Sequence, residues 1–197
     1  MQQEPPRIDS HSIGDPARFL SLADLQRGLA ALPAAPKDRG RVALIVRRGA
    51  EGVRETLDRC HLSPDAGLPG DAWSRRPRSN TNRQITVMQI DVATLIANGQ
   101  PLTLCGDNLF LDLDLSAENL PLGSQLRVGS AMLEVTPTPH DGCQKFRIRF
   151  GAEAIAFTSH PDLRHRNLRG IHMRVLAPGE VAARDLVEVI SRGVAGG

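Results

Sequence analysis

The chain is poor in aromatic residues, and this scarcity excludes one class of binding surface. Phe, Trp and Tyr make up 3% of the 197 residues, and Tyr is absent. Proteins that hold single-stranded nucleic acids commonly stack the bases on aromatic side chains. The basic residues are also interleaved with acidic ones and leave a net charge of only +2. The composition therefore predicts no nucleic-acid partner and a core built from Leu, Val, Ile and Ala.

Cysteine pairs and long apolar runs are missing as well. Cys60, Cys105 and Cys143 form no CxxC pair, which argues against a disulfide framework and against a cysteine-rich zinc site. No apolar stretch approaches the length of a membrane span, and the first residues lack the basic start and apolar run of a signal peptide. The sequence therefore predicts a cytoplasmic protein with free thiols and no membrane partner.

The composition is otherwise that of an ordinary globular protein, with 41% hydrophobic and 23% charged residues. Residues 1–39 are predicted to form a polar tail and an amphipathic helix over 16–32, with Asp15 as its N-cap. The helix is expected to pack on the outside of a single domain formed by residues 40–197. The stretch 63–81 is typical of a long loop, and its basic part, Arg75-Arg76-Pro77-Arg78 followed by Arg83, favours an exposed loop or an anion site.

Short segments with alternating apolar residues predict that the domain formed by residues 40–197 is mainly β. Regular turn signals between the strands, such as Gly129-Ser130 inside 120–136, favour a closed β-barrel with a few peripheral helices. Residues 50–63 are predicted to be a short helix or a turn. The other strands are expected at 42–46, 84–90, 104–114, 168–176 and, as a strand or strand pair, 181–190; helices are expected at 92–97 and 147–156, and a loop at 158–168.

The segment 136–146 carries the strongest chemical signal. Gly142 permits a close backbone approach immediately before Cys143, and residues with actual or potential positive charge surround the thiol, namely His140, Lys145, Arg147 and Arg149. Cations stabilise a thiolate, and a thiolate is a soft metal ligand. The alternative interpretation is that Cys143 is a small buried hydrophobic residue beside a helix start.

Four ordered segments together resemble the MOSC domain family, named after the C-terminal part of molybdenum cofactor sulfurases. No single segment is specific, but their order and spacing resemble the family pattern over residues 40–190. The segments are Gly67-Leu-Pro-Gly-Asp-Ala-Trp73, Arg83-Gln-Ile-Thr-Val87, Cys105-Gly-Asp-Asn-Leu109 with the downstream Leu120-Pro-Leu-Gly-Ser-Gln-Leu-Arg-Val-Gly129, and His140-Asp-Gly-Cys143. Many relatives have Pro before the cysteine, where this chain has Gly142.

The resemblance implies a β-barrel similar to that of pyruvate kinase, and it implies a role for Cys143. MOSC domains occur in molybdenum cofactor sulfurases and in small reductases of N-hydroxylated compounds. In those reductases the family cysteine ligates the molybdenum of a pterin cofactor, and in the sulfurases it is thought to carry sulfur. By position, Cys143 is the corresponding catalytic and metal-ligating residue here.

The resemblance also directs attention to five residues as contacts of the cofactor. Asp107 and Asn108 offer polar groups to the edge of a pterin, although an Asx-type turn is an equal alternative. Arg83 suits a phosphate, or else a salt bridge to Asp71 or Asp107. His140 and Lys145 are expected to contact the cofactor beside the thiol. His160, His165 and His172 show no metal-ligand spacing, so no site is assigned to them.

Three functions follow as expectations. The first is a molybdenum-dependent oxidoreductase acting on N-hydroxylated or related small molecules, with Cys143 as the molybdenum ligand. It would need a separate electron-donor protein, because the chain has no flavin, haem or iron–sulfur motif. The second is a non-enzymatic sulfur carrier that holds a persulfide on Cys143 and receives its sulfur from a partner protein. The third is a binding barrel without chemistry.

Overall fold

The computed structural model describes residues 13–76 and 80–193. Helices and strands follow one another as α1 (Leu22–Ala31), β1 (Arg39–Arg48), β2 (Arg54–Leu57), β3 (Arg59–Leu62), β4 (Ile85–Gln89), α2 (Ile90–Ala97), β5 (Leu109–Asp112), β6 (Gln125–Val128), β7 (Ala131–Val135), α3 (Gln144–Phe150), α4 (Ala152–Thr158), β8 (Ile171–Ala177), β9 (Gly179–Ala182) and β10 (Leu186–Ser191). Short 3-10 turns lie at Pro16–Arg18, Ala50–Gly52, Thr81–Arg83, Leu102–Cys105 and Pro161–Arg166.

The strands close into a barrel. In the order β10-β6-β7-β8-β4-β5-β1, each strand pairs with the next, and β1 pairs with β10 to complete the ring. The β4–β5 pair is parallel, and the other ladders are antiparallel. β2 extends the sheet outside the ring as the partner of β1, and β3 forms a separate ribbon with β9. The prediction of a mainly β fold with a closed barrel and peripheral helices is confirmed.

Alternating side chains decide which face of each strand fills the barrel. In β7 every second residue is buried, because successive side chains of a strand point to opposite faces. The turn at Gly129 and Ser130 joins β6 to β7 and keeps Leu126 opposite Leu133, both fully buried. The interior is therefore filled by aliphatic side chains, as the composition predicted.

The helices cover the other face of β4 and β5. Both strands are buried on two faces, with Val87 inside the barrel and Met88 packed under the helices. Four of the five phenylalanines belong to this second hydrophobic cluster, namely Phe110, Phe146, Phe150 and Phe157. α1 contacts α2 and α4, so the expected position of the N-terminal helix outside the barrel is confirmed. The domain boundary after residue 39 stays a prediction.

Two parts of the predicted secondary structure were wrong. Residues 50–63 were predicted to be a short helix or a turn, but only Ala50–Gly52 form a 3-10 turn, and the strands β2 and β3 follow it. Pairing with β1 and β9 stabilises these strands, whose own pattern is weak. The helix predicted over 16–32 begins only at Leu22, since the hydroxyl of Ser21 caps it by accepting from Asp24 N; Asp15 caps the preceding 3-10 turn instead.

The remaining differences are smaller. Helix 147–156 is divided into α3 and α4 at Gly151, where φ is 89°, and a 3-10 turn occupies part of the predicted loop 158–168. Among the helices formed by the described residues, none is both long and apolar enough to cross a membrane.

Candidate functional site

A cavity of about 710 Å³ opens on the side of the barrel that carries α3. Its wall is made by the end of β1, the start of β2, the loop 63–81, the turn at Gly106, the loop before α3 and the start of β8. Eight lining residues are cationic, namely Arg48, Arg54, Arg75, Arg76, Arg83, Arg149, Arg169 and Lys145, whereas Asp141 is the one acidic lining residue in the described part of the chain. The pocket is therefore suited to an anionic ligand.

Cys143 lies on the wall of this pocket and is exposed. It directly precedes α3, in an extended backbone conformation. The interpretation of Cys143 as a small buried residue is wrong. Cys60 and Cys105 are the buried thiols, and burial raises the pKa of each to about 12. Cys143 is therefore the thiol that a ligand or a partner can reach.

Asp107 and Arg169 form a buried ion pair at the wall. Nη1 of Arg169 donates to Oδ2 of Asp107 over 2.8 Å, and Nη2 donates to the carbonyl oxygen of Cys105 over 3.1 Å. The guanidinium also lies 4.6 Å from the centre of the Phe146 ring. Burial raises the pKa of Asp107, although Arg169 opposes this. The pair ties the start of β8 to the turn that precedes β5.

His140 stands between Asp107 and the cavity. Its Nδ1 atom lies 3.5 Å from Oδ1 of Asp107, and neither atom has a hydrogen-bond partner. Burial holds the pKa of His140 well below its usual value, and the positive charge of Arg169 acts in the same direction. The imidazole is therefore neutral near pH 7 and is poised to exchange a proton with Asp107 or with a ligand.

His172 lines the same pocket, although no motif in the sequence pointed to it. Its ring centre lies 4.5 Å from that of His140, and its Nδ1 lies 3.1 Å from the carbonyl oxygen of Thr138. A carbonyl only accepts, so Nδ1 carries the proton of a neutral ring. Burial lowers the pKa of His172 to about 4. The pairing of β7 with β8 brings this residue to the loop before Cys143.

Asn108 is a structural residue in this arrangement. Its Oδ1 accepts from Thr86 N, from the Thr86 hydroxyl and from Arg48 Nη2, over 3.0–3.1 Å. Its Nδ2 donates to Oδ1 of Asp71 over 2.9 Å and to the carbonyl of Val46 over 3.3 Å. Asn108 is fully buried and does not line the cavity. Direct contact of Asn108 with a cofactor is therefore not supported by the geometry, and Asp107 likewise acts from behind His140.

Arg83 lines the cavity without the salt bridge that was its alternative role. Asp71 pairs with Arg48, with 2.6 Å between Oδ2 and Nη2, and Asp107 pairs with Arg169. Burial alone would raise the pKa of Asp71, but the hydrogen bonds and charge of Arg48 lower it. Both carboxylates are thus occupied, and Arg83 faces the pocket with Lys145.

The basic loop contributes to the same wall. The Arg75 guanidinium donates to the carbonyl of Gly49 over 2.6 Å and to that of Arg48 over 3.0 Å, which holds the loop against β1. Arg76 also lines the cavity, and Pro77 and Arg78 lie outside the described residues. Arg48 and Arg54 were not recognised in the sequence, because single arginines at strand ends are ordinarily exposed.

Comparison with known proteins identifies the family. The MOSC domain profile matches residues 81–188, more than half of the chain. The chain belongs to the MOSC domain family. No curated protein matches this MOSC protein.

Solved structures share the fold of this MOSC protein. The YuaD protein of Bacillus subtilis is 22% identical, with a TM-score of 0.54 over 77% of this chain and 95% of that one. YiiM from Escherichia coli is 22% identical, with a TM-score of 0.50 over 78% and 71% of the two chains. YiiM from Geobacillus stearothermophilus is 15% identical, with a TM-score of 0.54 over 79% and 77%. At these identities the likeness shows the barrel alone.

Proposed function

We propose that the pocket binds a molybdenum–pterin cofactor with the Cys143 thiolate as metal ligand. The protein would then act as an oxidoreductase on N-hydroxylated or related small molecules. The observation that carries this proposal is the position of Cys143. It is an exposed thiol on the wall of a large cationic pocket in a MOSC domain.

The residues present fit such a group. A cavity of about 710 Å³ is within the size range of pockets that take cofactors and other small molecules. A pterin cofactor carries phosphate, and guanidinium groups are well suited to phosphate oxygens. A thiolate is the type of ligand that soft metal centres prefer. The donor set of the wall therefore agrees with both ends of the cofactor.

The predicted residues other than Asn108 can each be given a part in holding the cofactor. Cys143 would bind the metal, while Arg83 and Lys145 would offset negative charge. His140 would present a neutral imidazole to the ligand, and Asp107 would orient it from behind. When bound, the cofactor supplies two-electron transfer, and the protein contributes position and charge. We propose that the electrons come from a separate donor protein.

Proton supply is the part of the reaction that this chain's own side chains can perform. Reduction of an N–O bond to an amine and water consumes protons as well as electrons. His140 lines the pocket, lies 3.5 Å from the buried Asp107 carboxyl and is neutral near pH 7, because burial lowers its pKa. We therefore assign His140 the role of moving a proton between Asp107 and the ligand.

Metal content tests the proposal. The wild-type protein, Cys143→Ser and the control Cys60→Ala are purified from a molybdenum-replete host, and molybdenum and oxidised pterin are measured. We expect one metal per chain in the wild type and in the control, whose substituted thiol is buried in the barrel. We expect no molybdenum in Cys143→Ser. Full metal and activity in that variant would overturn the assignment.

Sulfur transfer is the second candidate, and the exposure of Cys143 favours it. A persulfide on an accessible thiol can be passed to a partner, whereas a buried one cannot. Intact-protein mass spectrometry would show the mass of one additional sulfur, removable by dithiothreitol and absent in Cys143→Ser. Metal-free wild-type protein with that extra mass would favour the carrier. Metal-free protein without it would favour a barrel that binds a ligand without chemistry.

A further inference from the structure

Arg54, at the start of β2, is buried without a counter-ion. The residue is 6% exposed, and its Nε and Nη1 atoms have no hydrogen-bond partner. Burial lowers the pKa of Arg54 to about 10, and the neighbouring cations Arg149 and Arg48 act in the same direction. An arginine remains charged in a protein. The fold therefore holds a cation where a cation is unfavourable.

The acidic groups near Arg54 are already engaged. Asp107 bonds to Arg169 over 2.8 Å, and Asp71 bonds to Arg48 over 2.6 Å. Within the described ranges, no carboxylate pairs with Arg54. A buried charge without a partner is strongly unfavourable. Such a charge is tolerated when a ligand completes the site.

The backbone opposite Arg54 leaves room for its guanidinium. Gly106 has φ of 87°, and a Cβ atom on it would lie 3.2 Å from Nη1 of Arg54. Both residues line the cavity that contains Cys143. Arg54 therefore belongs to the wall of an open pocket, while its unpartnered Nε and Nη1 atoms are themselves shielded from solvent.

We infer that Arg54, with Arg48 and Arg149 beside it, forms an oxyanion subsite that takes a phosphate-monoester group. A guanidinium places parallel N–H donors at the spacing of two phosphate oxygens, and a dianion offsets the repulsion among the three arginines. Arg48 and Arg54 precede the family segment 81–188, so the family match does not assign them a role. The subsite deepens the proposed function, because one source of the phosphate is the cofactor; the other is a free phosphorylated small molecule.

Phosphate binding by the cofactor-free protein is the test. The full chain is produced in a host that cannot make the pterin cofactor and is titrated with inorganic phosphate by calorimetry at constant ionic strength and pH. We expect saturable binding that Arg54→Gln weakens at least tenfold. The matched control is Arg59→Gln, which changes an exposed arginine on the neighbouring strand and should leave the dissociation constant unchanged.

Two results would overturn the subsite. One is absence of phosphate binding by the wild-type protein, and the other is an equal loss in Arg54→Gln and Arg59→Gln. Thermal unfolding distinguishes a loss of phosphate binding from a loss of folding. Phosphate should raise the melting temperature of the wild type, because a ligand of the native state stabilises it. It should not raise that of a folded Arg54→Gln variant.

The loaded protein distinguishes the two sources of phosphate. If the cofactor's phosphate occupies the subsite, protein that contains molybdenum no longer binds inorganic phosphate. If the loaded protein still binds it, the ligand is a separate phosphorylated molecule. The two proposals also fail separately. Phosphate binding by a chain that never retains molybdenum would overturn the proposed function alone, and molybdenum retention without phosphate binding by the cofactor-free chain would overturn the subsite alone.

Discussion

The barrel interior and the pocket wall differ in the buried polar groups that they contain. The interior is filled by aliphatic side chains such as Leu126 and Leu133, which need no partner. In the described part of the chain, seven buried side-chain atoms lack a hydrogen bond. Five of them belong to Arg54, Asp107, His140 and Arg169, at the pocket.

This difference distinguishes the pocket wall from the barrel interior. A buried polar group without a partner costs about 1–3 kcal/mol, so a fold selected for stability alone would not gather several of them. The interior contributes stability through burial of apolar surface. The residues at the pocket wall contain buried donors and acceptors without hydrogen-bond partners.

The largest effect is expected inside the barrel. Leu133→Ala removes a fully buried side chain opposite Leu126 and should lower the free energy of unfolding by about 2–5 kcal/mol, through lost burial and a residual cavity. Chemical denaturation measures this loss. The control Leu122→Ala, at a side chain that is 51% exposed, should change it by less than about 0.5 kcal/mol. Equal losses in the two variants would contradict a tightly packed interior.

An intermediate effect is expected from pH at the pocket. The unfolded chain binds a proton on His172 near pH 6.5, whereas the folded protein does so only near pH 4. The unfolded state therefore binds more protons between these values, and stability falls as pH falls from 6.5 towards 4. His140 changes in the same direction. We expect His172 to account for about 2 kcal/mol of the fall.

The variant His172→Asn isolates that contribution. Asn retains a donor for the carbonyl of Thr138 but does not titrate. Denaturation midpoints of His172→Asn should therefore change less between pH 6.5 and 4 than those of the wild type. Arg83, Arg169 and Arg48 also repel the protonated ring and are the same in both proteins. His165→Asn, at an exposed histidine, is the control; an unchanged pH slope in His172→Asn would contradict the explanation.

A smaller effect, of opposite sign, is expected at Arg54. Arg54→Gln removes a buried cation that stands beside two other cations, so the cofactor-free protein should keep its stability or gain up to about 1 kcal/mol. Arg54 and Leu133 are both buried, so effects of opposite sign at the two positions would separate the contribution of a buried cation from that of a buried aliphatic side chain. Urea denaturation in phosphate-free buffer measures the change. A loss above about 2 kcal/mol would indicate that Arg54 stabilises the fold itself.

The smallest effect on stability concerns the thiols. Cys143→Ser changes an exposed side chain and should alter the free energy of unfolding by less than about 0.5 kcal/mol. Iodoacetamide should label Cys143 alone in the native protein near neutral pH, since burial raises the pKa of Cys60 and Cys105 to about 12 and the thiolate is the reactive form. Peptide mass spectrometry identifies the labelled residue. Prompt native labelling of Cys105 would contradict its burial.

Much of the fold followed from local sequence patterns. β4, β8 and the β6–β7 hairpin have strong alternation or a clear turn, and they lie where they were predicted. β2 and β3 were missed because each has only four residues and exists through its pairing with a distant or neighbouring strand. The start of α1 was misplaced because Asp15 and Ser21 are both acceptable caps, and only packing selects between them.

The sequence indicated the part of the site around Cys143, but not the side chains that distant strands bring to it. Four of the predicted site residues line one pocket, namely Cys143, Arg83, His140 and Lys145. The sequence placed Asn108 with them, but its amide is consumed by Thr86, Arg48, Asp71 and Val46. Arg54 was not singled out and His172 was assigned no site, because both lie on strands far from Cys143 along the chain.

The sequence by itself determined the aliphatic core, most of the strands, the membership of the MOSC family and the candidate thiol, because these depend on composition, alternation and ordered short motifs. Tertiary structure decided which charges are paired and which are not. Arg48 pairs with Asp71 and Arg169 pairs with Asp107, while Arg54 pairs with neither carboxylate. Such pairings depend on barrel closure, which brings together residues tens of positions apart, and no local pattern contains that information.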